Sequence, residues 1–238
     1  MAVLRTENLT RYFGGLSALN RVTMELREDE ILGIIGPNGA GKSTFINVIG
    51  GIYLPTHGKI FFNGQEISEL PAHRRCKLGI GRTFQLVRPL QGLSLIENVM
   101  VGGLFGKGLR QREARKKAEE LCEFLDLTDI TREITRMTAL EVKKMEIAHA
   151  LAAQPKLLFL DEVMAGLNSD ETMQMIALVR KIHSRGIVIG IVEHVMRVIR
   201  ELTDRVIVLD WGEVIAEGPY EKVSNDPKVI TAYLGEEA

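Results

Sequence analysis

Cysteine is scarce in this sequence: Cys76 and Cys122 are the only two in 238 residues, far apart and in no ligand-spaced cluster. That excludes a disulfide-stapled secreted module and predicts free thiols in a reducing cytosol. No apolar run approaches the roughly 18 residues that span a bilayer, so any membrane role has to come through a partner. The N-terminal "MAVLRTENLTRYF" has no apolar segment behind a basic start, so no signal peptide is expected. Excess charge is absent too. Thirty Lys and Arg against 31 Asp and Glu leave a net charge of −1, which gives no general reason to expect a nucleic-acid partner. The one basic stretch, "KGLRQREARKK" (Lys107–Lys117), reads as a solvated helix face. Proline is sparse at 7, and neither an internal repeat nor a low-complexity segment is present. The stretch "MTALEVKKMEIAHAL" (Met137–Leu151) also contains no glycine, an absence that acquires meaning below.

What is present is patterned. "VLRTENLTRYF" and "RVTMELREDE" read as loosely alternating strands, and "KIFFNGQEI" as a strand followed by an Asn-Gly turn. "EILGIIG" (Glu30–Gly36) is an apolar run suited to a buried parallel strand, and "KSTFINVIGGI" has helical spacing that ends at a Gly pair. From about Gln85 to Gln154 the character changes to long charged helical stretches, which suggests a helical subdomain inserted into an α/β core. Apolar strands then alternate with helices through "KLLFLDE", "SDETMQMIALVRKIHSRG", "IVIGIVEH", "MRVIRELTD" and "RVIVLD". That order predicts a doubly wound α/β core with a parallel sheet. "WGEVIAEG" reads as a hairpin return, and Pro219 suits the first turn of a short helix.

Gly36-Pro37-Asn38-Gly39-Ala40-Gly41-Lys42-Ser43-Thr44 fits the pattern G-x-x-x-x-G-K-[ST] between a predicted strand and a predicted helix. Glycines let the backbone wrap a polyphosphate with its N–H groups, and the helix N-terminus adds a favourable dipole. Lys42 would reach the β- and γ-phosphates and the Ser43 hydroxyl would ligate Mg²⁺. Chance produces this pattern in roughly one chain in a hundred of this length, and the flanking elements lower that further. The loop is read as a nucleotide phosphate site.

"LLFLDE" ends an apolar strand with Asp161 and Glu162. In enzymes with such a loop, a carboxylate at a strand tip holds Mg²⁺ through water, opposite the loop hydroxyl. An adjacent Glu can polarise the attacking water as general base. His194 ends a third apolar strand, where its ring would share the sheet edge with a γ-phosphate. Gln85 stands where the core gives way to the helical region, and by composition alone it is an unremarkable polar residue.

Together these residues resemble the ATP-binding subunits of ABC transporters, almost end to end. Gly36–Thr44 matches the Walker A motif, Leu157–Glu162 the Walker B motif, Gln85 the Q-loop, His194 the H-loop and "AGLNS" (Ala165–Ser169) the D-loop. Phe13 matches the aromatic that stacks on adenine, with Tyr12 as the neighbouring alternative. "RYFGGLSALN", "GIGRTFQLVRPLQGLSLIENVMVG", "DEVMAGLN" and "VITAYLGEEA" resemble the LivG-like subunit of branched-chain amino-acid importers. The lipopolysaccharide-export ATPase shares much of this. The resemblance implies a P-loop NTPase (RecA-like) core over residues 1–85 and 155–238, with an N-terminal antiparallel β subdomain, and a helical subdomain over 86–154. It implies ATP and Mg²⁺, with Ser43, Gln85 and Asp161 on the metal and Glu162 and His194 catalytic. It also implies a homo- or heterodimer of ATPase subunits beneath two permeases, at the cytoplasmic face of the membrane. An extracytoplasmic solute-binding protein would be an indirect partner, and the segment 86–103 would touch the permease.

The sequence departs from that pattern at one place of consequence. The usual L-S-G-G-Q falls on Met137-Thr138-Ala139-Leu140-Glu141, so both glycines are gone. Leu140 should crowd the close backbone approach to a partner's γ-phosphate, and Glu141 adds a negative charge there. Thr138 keeps a hydroxyl, Thr138-x-x-Glu141 is a capping-box pattern, and Lys143 and Lys144 follow one turn on. Val163 replaces the usual Pro after the acidic pair. Two other readings stand beside an importer ATPase: a non-hydrolysing regulatory partner in a heterodimer, and a small-molecule kinase, which the spacing from Lys42 to Asp161 fits less well.

Overall fold

A computed structural model describes residues 2–84 and 89–234. The chain divides into two compact units, residues 1–75 with 188–238, and residues 76–187.

In the first unit, β1 (Ala2–Phe13), β2 (Leu16–Arg27), β4 (His57–Phe62) and β5 (Gln65–Glu66) form an antiparallel sheet in the order β2-β1-β4-β5. Alternation explains its inner face: Val22, Met24 and Leu26 are buried while Thr23, Glu25 and Arg27 are exposed. Asn63 and Gly64 both take positive φ, 48° and 79°, in the predicted turn between β4 and β5. β3 (Ile31–Ile35) is buried along its whole length and lies parallel to both β8 (Val188–Val192) and β9 (Arg205–Asp210). A strand covered on both faces needs a continuous apolar run, and "ILGII" supplies it. β10 (Glu213–Gly218) returns antiparallel on β9, as the hairpin reading expected. Pro219 stands one position earlier than expected, as the N-cap of α8 (Tyr220–Val223) rather than inside its first turn. The unit ends in α9 (Pro227–Leu234).

One buried cation fixes the helix that follows the phosphate loop. α1 (Lys42–Ile49) ends at Gly50 and Gly51, leaving its last carbonyls without helical partners. Arg75, in α2 (Ala72–Leu78), is fully buried and donates to Val48 O (2.6 Å) and Ile49 O (2.9 Å) of that terminus. It also donates to Leu70 O (2.7 Å) and Ser68 O (2.8 Å). Burial lowers its pKa to about 10, still well above neutrality. Arg75→Met is expected to destabilise the protein by about 3 kcal/mol or more: Val48 O keeps the Gly51 N–H, but Ile49 O, Ser68 O and Leu70 O lose the Arg75 donor, and each buried carbonyl left unpaired costs about 1–3 kcal/mol. Thermal melting followed by circular dichroism checks this, and an unchanged midpoint would sink it.

In the second unit, β6 (Ile80–Arg82) lies parallel to β7 (Leu157–Asp161), with Arg82 opposite Phe159. Between them, α3 (Leu95–Val101) runs into a π-helical turn over Gly102–Lys107, followed by α4 (Gln111–Phe124) and α5 (Ala139–Ala152). These three α-helices pack on one another and bury Leu95, Val99, Ala114, Ala118, Leu121, Ile147 and Ala148. The basic stretch lies partly on α4, where Arg112, Arg115 and Lys116 are exposed, as a solvated face requires. α6 (Ser169–His183) follows β7, its N-terminus capped by Asn168 and Glu171. No helix among the described residues is long and apolar enough to cross a membrane.

Candidate nucleotide site

Residues 36–44 carry the chain from β3 into α1. Gly36 has φ +150°, and a Cβ there would sit 2.0 Å from Leu209 O. Gly41 has φ +102°, and a Cβ there would meet Ala18 O at 2.6 Å. No other residue fits either position, so the loop's curvature rests on these two glycines. Gly41 is also the N-cap of α1 and supplies no side-chain cap, which leaves the first N–H groups of the helix to an external acceptor. Lys42 is buried, and its ammonium donates to Gly36 O (2.7 Å) and Pro37 O (2.9 Å), inside the curve of its own loop. A cradle of this shape, with a cation at its centre, fits a polyphosphate.

Parallel register places His194 relative to this loop. Ile34 of β3 is opposite Val192 of β8, so Gly36 and His194 each lie two residues beyond the paired positions, at the same sheet edge. His194 is exposed there. Phe13, at the end of β1, is 38% exposed and meets Tyr53 edge-on at 5.0 Å, with the Arg11 guanidinium 4.6 Å above its ring. A supported, partly exposed aromatic is what stacking on a base requires. Tyr12 turns elsewhere, edge-on to His57 at 6.4 Å. A groove of about 760 Å³ beside the loop is walled by Pro37–Ala40, Trp211 and the α9 residues Pro227, Lys228 and Thr231. The Tyr233 phenol of α9 is hydrogen-bonded with the backbone of Gly36.

The second unit holds the acids. Asp161, the last residue of β7, is buried, and its N–H donates to Thr83 Oγ1 (3.0 Å). Arg82 Nη2 faces Asp161 Oδ2 at 3.7 Å. Glu162 follows with φ 52°, a left-handed conformation that a non-glycine residue holds only when its surroundings impose it. Part of that constraint is visible: Lys143 of α5 donates to Glu162 O at 3.2 Å. Gln85 lies outside the described residues. Its neighbour Phe84 is tied down through its N–H, which donates to Glu146 Oε1 of α5.

At the glycine-free turn, Thr138 caps α5 as its spacing predicted. Its hydroxyl accepts from Glu141 N (3.3 Å), and Glu141 Oε2 accepts from Thr138 N (2.8 Å). The cation facing Glu141 is Arg132, hydrogen-bonded and ion-paired with it. That bond, with the Thr138 N–H, holds the Glu141 carboxyl below its ordinary pKa. The acidic charge of the turn is therefore neutralised within the same subunit. Lys143 serves Glu162 instead, and Lys144 is buried.

Sequence reasoning passed over Arg82, Glu146 and Arg132. A signal existed for Glu146, a carboxylate inside the apolar run "MEIAHALAA". Arg82 and Arg132 carried none, since their roles depend on side chains from distant parts of the unit.

A family profile described as ABC transporter matches residues 19–165, and one described as branched-chain amino acid ATP-binding cassette transporter matches residues 213–238. The chain is 37% identical over 247 residues to the probable branched-chain amino acid transport ATP-binding protein LivG of Archaeoglobus fulgidus, covering 99% of this chain and 96% of that one. It is 35% identical over 250 residues to the high-affinity branched-chain amino acid transport ATP-binding protein BraF of Pseudomonas aeruginosa, covering 98% of each. Among solved structures, a nucleotide-free ATP-binding cassette from an ABC transporter superposes with TM-score 0.91 at 31% identity, over 99% of this chain and all of that one. The ADP conformation of an ATP-binding cassette superposes with TM-score 0.88, also at 31% identity and the same coverage. With its glycine-shaped phosphate loop and strand-end acids, matched from end to end, this chain belongs to the ABC transporter ATP-binding family and is a P-loop ATPase.

Proposed function

We propose that this chain is the subunit that hydrolyses ATP to energise an importer of branched-chain or other hydrophobic amino acids. The observation that carries this is likeness along nearly the whole chain to branched-chain amino acid transport proteins, including the terminal segment 213–238 that a general ATPase match would not require. It acts at the cytoplasmic face of the membrane as one half of an ATPase dimer, beneath two permease subunits. An extracytoplasmic solute-binding protein delivers the substrate to those permeases.

The residues divide the work by their chemistry. Phe13 stacks on adenine. The N–H groups from Gly36 to Thr44 wrap the phosphates, and Lys42 offsets their charge where it is densest. The Ser43 hydroxyl, Asp161 and Gln85 would hold the accompanying Mg²⁺. The hard-oxygen character of this set suits that ion, which when bound neutralises charge on the β- and γ-phosphates. Glu162 accepts the proton of the attacking water, and His194 steadies the γ-phosphate. Thr138 to Glu141 face the partner subunit's nucleotide. There the N–H groups of Ala139 and Leu140, at the start of α5, have no intrahelical acceptor. A helix start with its carboxylate neutralised by Arg132 remains able to receive phosphate, although Leu140 fills the space that glycine leaves open.

Reconstitution tests the proposal. Proteoliposomes holding this chain with its two permeases and binding protein are expected to accumulate radiolabelled leucine only when ATP is supplied on the cytoplasmic side. ATP hydrolysis with no ATP-dependent uptake of leucine, isoleucine or valine would overturn the substrate class and leave the ATPase standing.

A further inference from the structure

The second unit contains a largely buried cation placed beside two carboxylates. Arg82 ends β6 with its side chain 14% exposed. It carries the Phe84 ring below its guanidinium at 4.5 Å and donates from Nε to Thr83 O at 3.3 Å. On one side stands Asp161, whose Oδ2 is 3.7 Å from Nη2, an ion-pair distance beyond that of a hydrogen bond. Glu146 of α5 is held close by through Phe84, whose ring lies under the guanidinium and whose N–H donates to Glu146 Oε1, and its charge also acts on Arg82. Glu146 is 9% exposed, and its two oxygens are used unequally. Oε1 accepts from Phe84 N, while Oε2 is buried with no hydrogen-bond partner among the described residues. A buried carboxylate oxygen left unpaired is costly, and the bond from Phe84 N–H uses only one of the two.

We propose that Glu146 is a positioning residue for the metal-binding carboxylate: Arg82 is a cation shared by Asp161 and Glu146, and Glu146 Oε2 receives it when Asp161 turns its charge to Mg²⁺. This rests on reading Asp161 as an Mg²⁺ carboxylate. A divalent ion and a guanidinium on one carboxylate repel each other, and in a poorly hydrated site that repulsion is weakly screened. Moving the guanidinium toward Glu146 relieves the repulsion and pairs the unpaired oxygen in a single step. The two positions need no backbone change, because β6 is held in its ladder with β7 and Phe84 N–H stays on Oε1. One consequence is connectivity. Glu146 belongs to α5, whose first turn is Ala139-Leu140-Glu141, so the helix that faces the partner's nucleotide also sets how readily this subunit's own acid takes its metal.

Glu146→Gln isolates the charge. It keeps the volume and the acceptor for Phe84 N–H and removes the negative charge. The measurement is binding of a fluorescent ATP analogue to the full chain across a series of Mg²⁺ concentrations and in EDTA. In Glu146→Gln the half-saturating Mg²⁺ concentration is expected to rise roughly five- to tenfold, the size of one partly screened charge interaction. Affinity in EDTA should stay within about twofold of the parent, because the charge removed acts through Asp161 and so only on metal-dependent binding. Asp161→Asn is the companion and should shift the Mg²⁺ dependence further. A parental Mg²⁺ dependence in Glu146→Gln beside a shifted one in Asp161→Asn overturns the proposal alone. A parental dependence in both variants removes the metal role of Asp161 and the proposal with it. Equal losses with and without Mg²⁺ in Glu146→Gln would mark a general structural effect and also overturn it.

Discussion

Glu162→Gln is expected to lower kcat for ATP hydrolysis about a thousandfold, within the range of about 10²–10⁴ that a positioned general base contributes. The substitution keeps the side chain's size and its capacity to accept a hydrogen bond, and removes only its capacity to take a proton. Its main-chain setting is also retained, because the contact from Lys143 reaches the carbonyl oxygen of residue 162 and not its side chain. Glutamine holds the left-handed φ of 52° no less readily than glutamate does, so the loop after β7 should keep its course. Nucleotide affinity is therefore expected to change by about twofold at most. Phosphate release under steady-state conditions, set against equilibrium binding of an ATP analogue, separates the two quantities. A kcat within tenfold of the parent would remove Glu162 from the role of base, and a joint collapse of kcat and affinity would make it a binding residue.

How much of this was legible in the sequence follows from how local each feature is. The phosphate loop is a contiguous stretch whose glycines answer to backbone constraints a few residues wide, so Gly36 to Thr44 could be read letter by letter. The buried strands "ILGII" and "LLFLD" were legible because continuous apolar character is what two-sided burial selects. The capping box at Thr138 and Glu141 is likewise a four-residue device, and its hydrogen bonds are those its spacing implied. What the sequence withheld is non-local. Nothing near Glu141 in the chain announces that Arg132, nine residues earlier and across a turn, neutralises it. The ladder that sets Arg82 opposite Phe159 comes from strand pairing across more than seventy intervening residues, and Glu146 reaches the same place from a third element. The division into compact units shows the same limit. Composition marks where helices become frequent, at about Gln85, whereas the packing places β6, β7 and α6 together with those helices in residues 76–187. Contact density decides that grouping, and composition does not report it.

The glycine-free turn shows how the local and the distant combine. Read alone, Ala139-Leu140-Glu141 loses both small residues and gains a carboxylate, which argues against phosphate contact. Geometry removes half of that objection, because the carboxylate is bound to Arg132 and to the Thr138 N–H and presents little charge outward. The remaining half is steric and belongs to Leu140. Hydroxyl chemistry at Thr138 is also narrower than its identity suggests, since that oxygen is already engaged with Glu141 as the helix cap.

Lys42→Ala is expected to weaken ATP binding by about 10²- to 10⁴-fold, the equivalent of losing two charge-assisted hydrogen bonds at about 1.5–3 kcal/mol each. The ammonium is buried and bonded to Gly36 O and Pro37 O, so it lies within the loop's curve rather than on a mobile surface arm. Phosphate oxygens entering that curve replace those carbonyls as acceptors, and an anion is the better partner for a cation in a poorly hydrated site. Alanine leaves the glycines, and with them the backbone cradle, but no positive charge at its centre. The loss should be specific to the phosphates. Adenosine, which has none, relies on the aromatic platform at Phe13 and should bind parent and variant equally weakly. Isothermal titration with ATP, ADP and adenosine gives the three affinities, and the rise in melting temperature on adding ATP gives an independent reading. An ATP affinity within about threefold of the parent would refute the phosphate-site assignment, because no other charge in the loop could then account for the binding.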